Sequence, residues 1–382
     1  MIASSITGII IFRGFAQNGL AAVKQIAAEN QYGHIQIAKK SFWKPGAETR
    51  AEKMFDLNLI SNLKTNNPEI EKISGRLSFF GLLVGPRKNV DSMIIGVDTK
   101  IEDKFHKTMK IVQGQFFAGA DQDEILIGNL LAKQLKLNPN DTMTIVAKTI
   151  DGTMNAIDVK VAGFFTAGID DIDAKVAFIP LSLSQKILDT KNVDIAVVKF
   201  SSLSLVEGKK SKLIEEVSKI DSNLQVRTWR ELSKVFRQSE KFYGVQNSVV
   251  QGILITLMFL SILNSVFMSI VERTGEIGVL RALGVTRMEI VMQFLLESLI
   301  VSLIGIAAGL VMAYLIIQII HASHIMTDVP GASTPFQIKI TFMMWAVYFS
   351  SGMAALTTLL ATFLPARFAS KLDIVESLRK NI

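Results

Sequence analysis

The stretch Glu272-Arg-Thr-Gly-Glu-Ile-Gly-Val-Leu-Arg-Ala-Leu-Gly-Val-Thr-Arg287 decides the fold. It is a charged island between two of the most apolar segments in the chain, with no charged residue from 242 to 271 and none from Ser298 to Ile320. Its spacing predicts a short helix lying at a membrane surface, roughly 15 Å long if 275–284 are helical. Ile277, Leu280 and Leu283 or Gly284 recur along one side, with Glu276 and Arg281 near the other. Gly284 suits a helix C-terminus. Thr286-Arg-Met-Glu289 has the capping-box pattern that starts a new helix. The alternative is an ordinary loop carrying arginines.

Four apolar stretches of spanning character follow from this frame: 1–23, 242–271, 290–320 and 340–366. With 49% hydrophobic residues, 382 residues are too apolar for an ordinary soluble protein. Only twelve residues precede Arg13, so the first span reads as short, its start missing or very brief, with Arg13 facing other helices or reaching an interface. No basic residue lies upstream of the apolar run, which argues against a secretory signal. Arg273, Arg281 and Arg287 lie in the 272–289 connection, and Arg367, Lys371, Arg379 and Lys380 in the tail 367–382. The 321–339 connection is read as outer, so both termini are expected in the cytoplasm and the region between the first and second spans outside.

That region, 24–241, loses the long apolar runs and reads as an α+β domain. Strands are expected at 33–37, 77–84, 92–97, 124–127, 142–146, 159–165, 174–179 and 194–200, and helices at 55–65, 129–137, 183–190 and 205–220. A segment of about 122–188 reads as inserted into a framework of about 28–118 and 193–232. Although the net charge is +7, no basic run interleaves with aromatics, and nucleic acid is set aside. The absence of cysteine excludes disulfides, thiolate metal sites and a Cys nucleophile.

The run ERTGEIGVLRALGVTRMEIVMQFLLES, then LIGIAAGL and LPARFASKLDIVESLRK, resembles the C-terminal permease domain of the FtsX/MacB superfamily, the type VII ABC transporters. IIGVD at 94–98, EILIGNLLAKQLKL at 124–137 and AFIPLSLSQKIL at 177–188 resemble that family's periplasmic domain. The resemblance implies an integral membrane protein of four transmembrane helices with a two-lobed (Porter/Sabre-like) α+β domain, in the bacterial inner membrane. It also implies that 272–289 is the coupling helix that docks on an ABC ATPase subunit, through Glu272, Arg273, Glu276, Ile277, Gly278, Leu280, Arg281, Leu283, Gly284 and Arg287. ATP and magnesium would then sit on that partner. The other partners implied are a second permease copy or paralogue, membrane lipid, and a lipoprotein, periplasmic carrier or adaptor. The functions implied are lipoprotein release or efflux as in LolC/LolE- or MacB-like permeases, or an FtsX-like role that drives a cell-wall hydrolase without moving substrate.

No catalytic or metal constellation stands out. Glu207-Gly-Lys-Lys-Ser211 fails as a phosphate loop, with Leu203 where the first glycine belongs and Lys210 after the Gly-Lys pair. His321 and His324 with Asp328 read as loop residues rather than metal ligands. His34 has no evident partner. Glu297, about two turns into the third span, suggests either a proton relay or a pair with Arg273 or Arg281, and the pair is preferred. Phe79, Phe80, Leu82, Leu83 and Val84, with Phe116, Phe117, Phe164 and Phe165, mark apolar clusters that could line a substrate path.

Overall fold

Apolar residues at helical spacing run without interruption from the second residue, and in the computed structural model they form one helix, α1 (Ile2–Gln25). The structure describes residues 1–44, 49–102, 109–117, 119–120, 122–327 and 336–371. Arg13 does not end α1, because its guanidinium lies over the Trp345 ring, 3.7 Å from the centroid, with Phe349 stacked against Trp345. An aromatic face offsets part of the cost of placing a cation there. The span expected at 1–23 is thus a 24-residue helix, followed by a π-helical turn at Ile26–Gln31.

The domain that follows is built on a mixed sheet of β1 (Ile35–Lys39), β2 (Ile70–Val84), β3 (Asn89–Val97), β4 (Lys110–Gly114), β5 (Glu124–Gly128), β6 (Thr142–Lys148), β7 (Met154–Thr166), β8 (Val176–Pro180), β9 (Ile195–Phe200) and β10 (Leu224–Thr228). The spatial order is β10-β1-β9-β2-β3-β8-β5-β7-β4, with β6 pairing β2 and β7 off that path. β5 to β8, from the segment expected to be inserted, therefore meet the framework at three junctions, β8 with β3 in parallel, and β6 with β2 and β7 with β4 antiparallel. Short helices α2 (Arg50–Lys53), α3 (Leu63–Asn66) and α4 (Thr99–Glu102) precede the more substantial α5 (Asn129–Leu135), α6 (Asp170–Lys175), α7 (Leu181–Leu188) and α8 (Leu205–Ile220). Leu77, Ile94, Ile127, Leu131, Leu135 and Ile187 are fully buried in one cluster of this domain. Each such side chain stabilises by about 1.5–3 kcal/mol against exposure.

The helix expected at 55–65 is broken. Phe55 forms a backbone bridge with Val193, N to O at 3.0 and 2.9 Å, which holds it extended. Asp56 then caps a 3₁₀ turn at Leu57–Ile60 through the Asn58 N–H, and α3 adds one further turn. β4 and β10 were not foreseen.

After α9 (Trp229–Leu232) come α10 (Lys234–Glu272), α11 (Thr274–Ala282), α12 (Arg287–Ala322) and α13 (Met344–Ala369). With α1, the three longest of these make four helices long and apolar enough to cross a membrane. The spans read as 242–271, 290–320 and 340–366 fall within α10, within α12, and across the start of α13 respectively. Residues 1–21, 239–327 and 337–382 form one compact unit, and 22–238 with 328–336 the other. In the helical unit α1 meets α12 through small residues: a Cβ on Gly309 would lie 2.8 Å from the Ala3 carbonyl, and the Thr7 hydroxyl donates to the Gly309 carbonyl at 2.9 Å. Of the 321–339 connection, His321 accepts the Ile340 N–H at 3.2 Å, while Asp328 lies outside the described residues, as does the tail beyond Lys371.

Candidate coupling surface

α11 is closed at its C-terminal end by backbone chemistry. The Val285 N–H donates to the Leu280 carbonyl at 3.1 Å and the Gly284 N–H to the Arg281 carbonyl at 3.2 Å. This is a Schellman ending, and it places Gly284 at φ +97°, where a Cβ would be strained. Two residues later the Thr286 N–H donates to the Glu289 carboxylate at 2.7 Å, and the Glu289 N–H returns to the Thr286 hydroxyl at 3.3 Å. α12 therefore starts from a complete capping box.

One side of α11 is buried. Gly275, Ile277 and Gly278 face inward, and Ile277 packs with Ile270, Ile290, Val291 and Phe294. Leu280 and Arg281 are half-buried. The expected grouping of Leu283 with Ile277 is corrected: at 3.6 residues per turn it lies about 120° round from Ile277, and as the cap residue after Ala282 it stands 78% exposed. Val279 (47%) and Met288 (65%), which the sequence did not single out, are exposed with it. Glu272, Arg273, Glu276, Gly284 and Arg287 are also exposed. Three large apolar side chains among charges of both signs make a surface suited to a protein partner.

Arg273 is the residue between α10 and α11. Its guanidinium donates to both carboxylate oxygens of Glu297, at 3.3 and 3.2 Å. The Arg273 carbonyl accepts the Ile277 N–H, so one residue ties the first turn of α11 to α12. Both side chains are nearly half exposed, and such a pair contributes modestly.

A second constructed region lies where α1 enters the sheet domain. His34, 2% exposed, accepts the Phe200 N–H at Nδ1. Nε2 therefore carries the proton and donates to Glu29 at 3.3 Å. The buried Lys199 ammonium lies 3.4 Å from the other Glu29 oxygen. Arg76 donates to the Gln31 carbonyl at 2.8 Å. The Lys24 ammonium lies over the Trp229 ring, which packs edge-on against Phe236 of α10. α9 is held by its own capping box, Thr228 with Glu231. Burial pushes the Glu231 carboxyl up, but Lys210 and the Thr228 N–H outweigh it and hold the group below the ordinary carboxylate range.

A unit of four helices long and apolar enough to cross a membrane, carrying the short helix α11 and continuous in sequence with a large α/β domain, has the make-up of a multi-pass membrane permease. Residues 2–206 match the family model of the MacB-like periplasmic core domain, and 248–374 match that of the FtsX-like permease C-terminal domain. The chain belongs to this MacB/FtsX permease family. It is 25% identical over 342 residues to the macrolide export ATP-binding/permease protein MacB of Bdellovibrio bacteriovorus, covering 85% of this chain and 49% of that protein. It is 24% identical over 280 residues to the uncharacterized ABC transporter permease YknZ of Bacillus subtilis, covering 71% of this chain and 66% of that one. The periplasmic region of MacB from Actinobacillus actinomycetemcomitans, a crystal structure, covers 56% of this chain and 95% of its own at 13% identity and TM-score 0.42. The chain thus spans about half the length of the first relative and about two thirds of the second.

Proposed function

We propose that this chain is the membrane-spanning part of an ABC transporter of the bacterial inner membrane, in which ATP hydrolysis by a nucleotide-binding unit outside this sequence moves the α/β domain. The observation that carries this is the exposure of α11 and the residues flanking it, with Val279, Leu283 and Met288 exposed along with Glu272, Glu276 and Arg287. The Schellman ending and the capping box that follows it, together with the Arg273–Glu297 pair on the other side, suit it to carry force from that unit into α10 and α12. On this reading α11 lies at the cytoplasmic surface, both termini are cytoplasmic, and the α/β domain works on the opposite side, where cargo is exported or released. ATP and magnesium are held by the nucleotide-binding unit. The exposed apolar side chains of α10, Val249, Ile253, Leu257 and Leu260 among them, are covered by lipid and a second copy.

The test is Val279→Asp with Leu283→Asp, since neither side chain is buried and the variant should still insert. ATP-dependent movement of the outer domain should be lost, and affinity for the nucleotide-binding unit should fall by about thirtyfold or more, as for removal of a hot spot worth about 2 kcal/mol. Unchanged association and unchanged coupling in that variant would remove the assignment.

A further inference from the structure

Alternation along β2 sends its side chains to two different faces. Leu77, Phe79 and Leu83 enter the core cluster with Ile94. Arg76, Ser78 and Phe80 point to the other face, where their antiparallel partners are Val97, Ile95 and Met93. Met93 and Ile95 in turn lie beside Val176 and Phe178 of β8. This second face is apolar, yet Phe80 stands 79% exposed on it.

Towards the root of the sheet the same face borders a cavity of about 400 Å³. Met93, Ile95, Val176 and Phe178 form an apolar floor, with Ile172 and Met109 beside it. The polar end is made by Tyr32, Gln36, Arg76 and Ser78. Gln36 and Arg76 are each 5% exposed, and both are held in place, Gln36 donating to the Tyr32 carbonyl at 2.9 Å and Arg76 to that of Gln31. The Trp43 wall is fixed as well, with the Arg227 guanidinium 4.6 Å above its ring.

We propose that this cavity binds a small amphipathic molecule, its apolar body on the Met93–Phe178 floor and a hydrogen-bonding head against Gln36, Tyr32 and Ser78. Its volume is within the range of small-molecule sites, which are mostly apolar with a few placed polar groups. Two methionines give the floor an adaptable surface, which suits a family of related ligands better than one rigid shape. Gln31 ends the π-helical turn and Tyr32 follows it, so an occupant touches the segment by which α1 enters the sheet.

Binding does not depend on the proposed coupling to ATP hydrolysis, and the experiment omits nucleotide and the nucleotide-binding unit. The full chain in lipid nanodiscs is photolabelled with a diazirine-bearing alkyl glucoside, and labelled peptides are mapped by mass spectrometry. Labelling of the peptides that carry Met93, Met109 and Phe178 should saturate and be competed by unlabelled alkyl glucoside. It should fall about tenfold, equivalent to about 1.4 kcal/mol, in Ile95→Trp, which fills the cavity. Met93→Phe, a milder filling change, should give an intermediate loss, while labelling of the four apolar helices stays constant in both variants. Labelling confined to those helices, or unchanged at the sheet in both filled variants, would overturn the proposal.

Discussion

α11 and the entry of α1 into the sheet are both places where the chain changes from one kind of structure to another, and they are built in opposite ways. At the entry of α1 the polar groups are matched internally: Glu29 receives His34 and Lys199, and His34 receives the Phe200 N–H. At α11 the C-terminal end is satisfied by its own backbone, while Val279 and the following Leu283 and Met288 are left exposed. The first region is complete within the chain. The second leaves large apolar side chains exposed among the described residues, and the two should respond differently to substitution.

The largest effect on stability is expected at the α1 entry. Glu29→Ala leaves the Lys199 ammonium buried without this carboxylate, and removing one partner of a buried pair costs about 3 kcal/mol or more. Hydrogen exchange on the full chain in detergent should speed up in Ile35–Lys39 and Ile195–Phe200 and stay unchanged in α11. Uniform exchange throughout would show that the cluster holds nothing. Val279→Asp with Leu283→Asp is expected to do the reverse, leaving the melting temperature near that of the parent chain while association with the nucleotide-binding unit is lost. The smallest effect belongs to Glu297→Gln. Its half-exposed pair with Arg273 contributes about 0.5 kcal/mol or less, so stability should barely move. If Glu297→Gln abolished activity while keeping stability, with the loss following pH, a proton role would replace the pairing role.

Much of α11 was legible in the sequence because its determinants are local. Gly284 and the Thr286/Glu289 pattern act within a few residues, and the structure contains both the Schellman ending and the capping box. The direction of Leu283 was legible but misassigned, since six residues of a 3.6-residue period carry it about 120° round the helix from Ile277, and Leu283 itself keeps αR backbone angles. The entry of α1 could not be read at all. Lys199 and Phe200 reach Glu29 and His34 only because β9 pairs with β1. The same holds for residues 55–65, where the distant partner Val193 overrides a helical pattern. β4 is exposed along its whole length and carries little alternation, so only its pairing with β7 defines it.

The absence of cysteine permits the most direct measurement of the central claim. Leu283→Cys supplies a single thiol at the exposed apolar residue that caps α11. A membrane-impermeant maleimide should label it in inside-out vesicles and not in intact spheroplasts, and addition of the nucleotide-binding unit should protect it. Labelling from the outer face, or full labelling in the presence of saturating nucleotide-binding unit, would contradict the account.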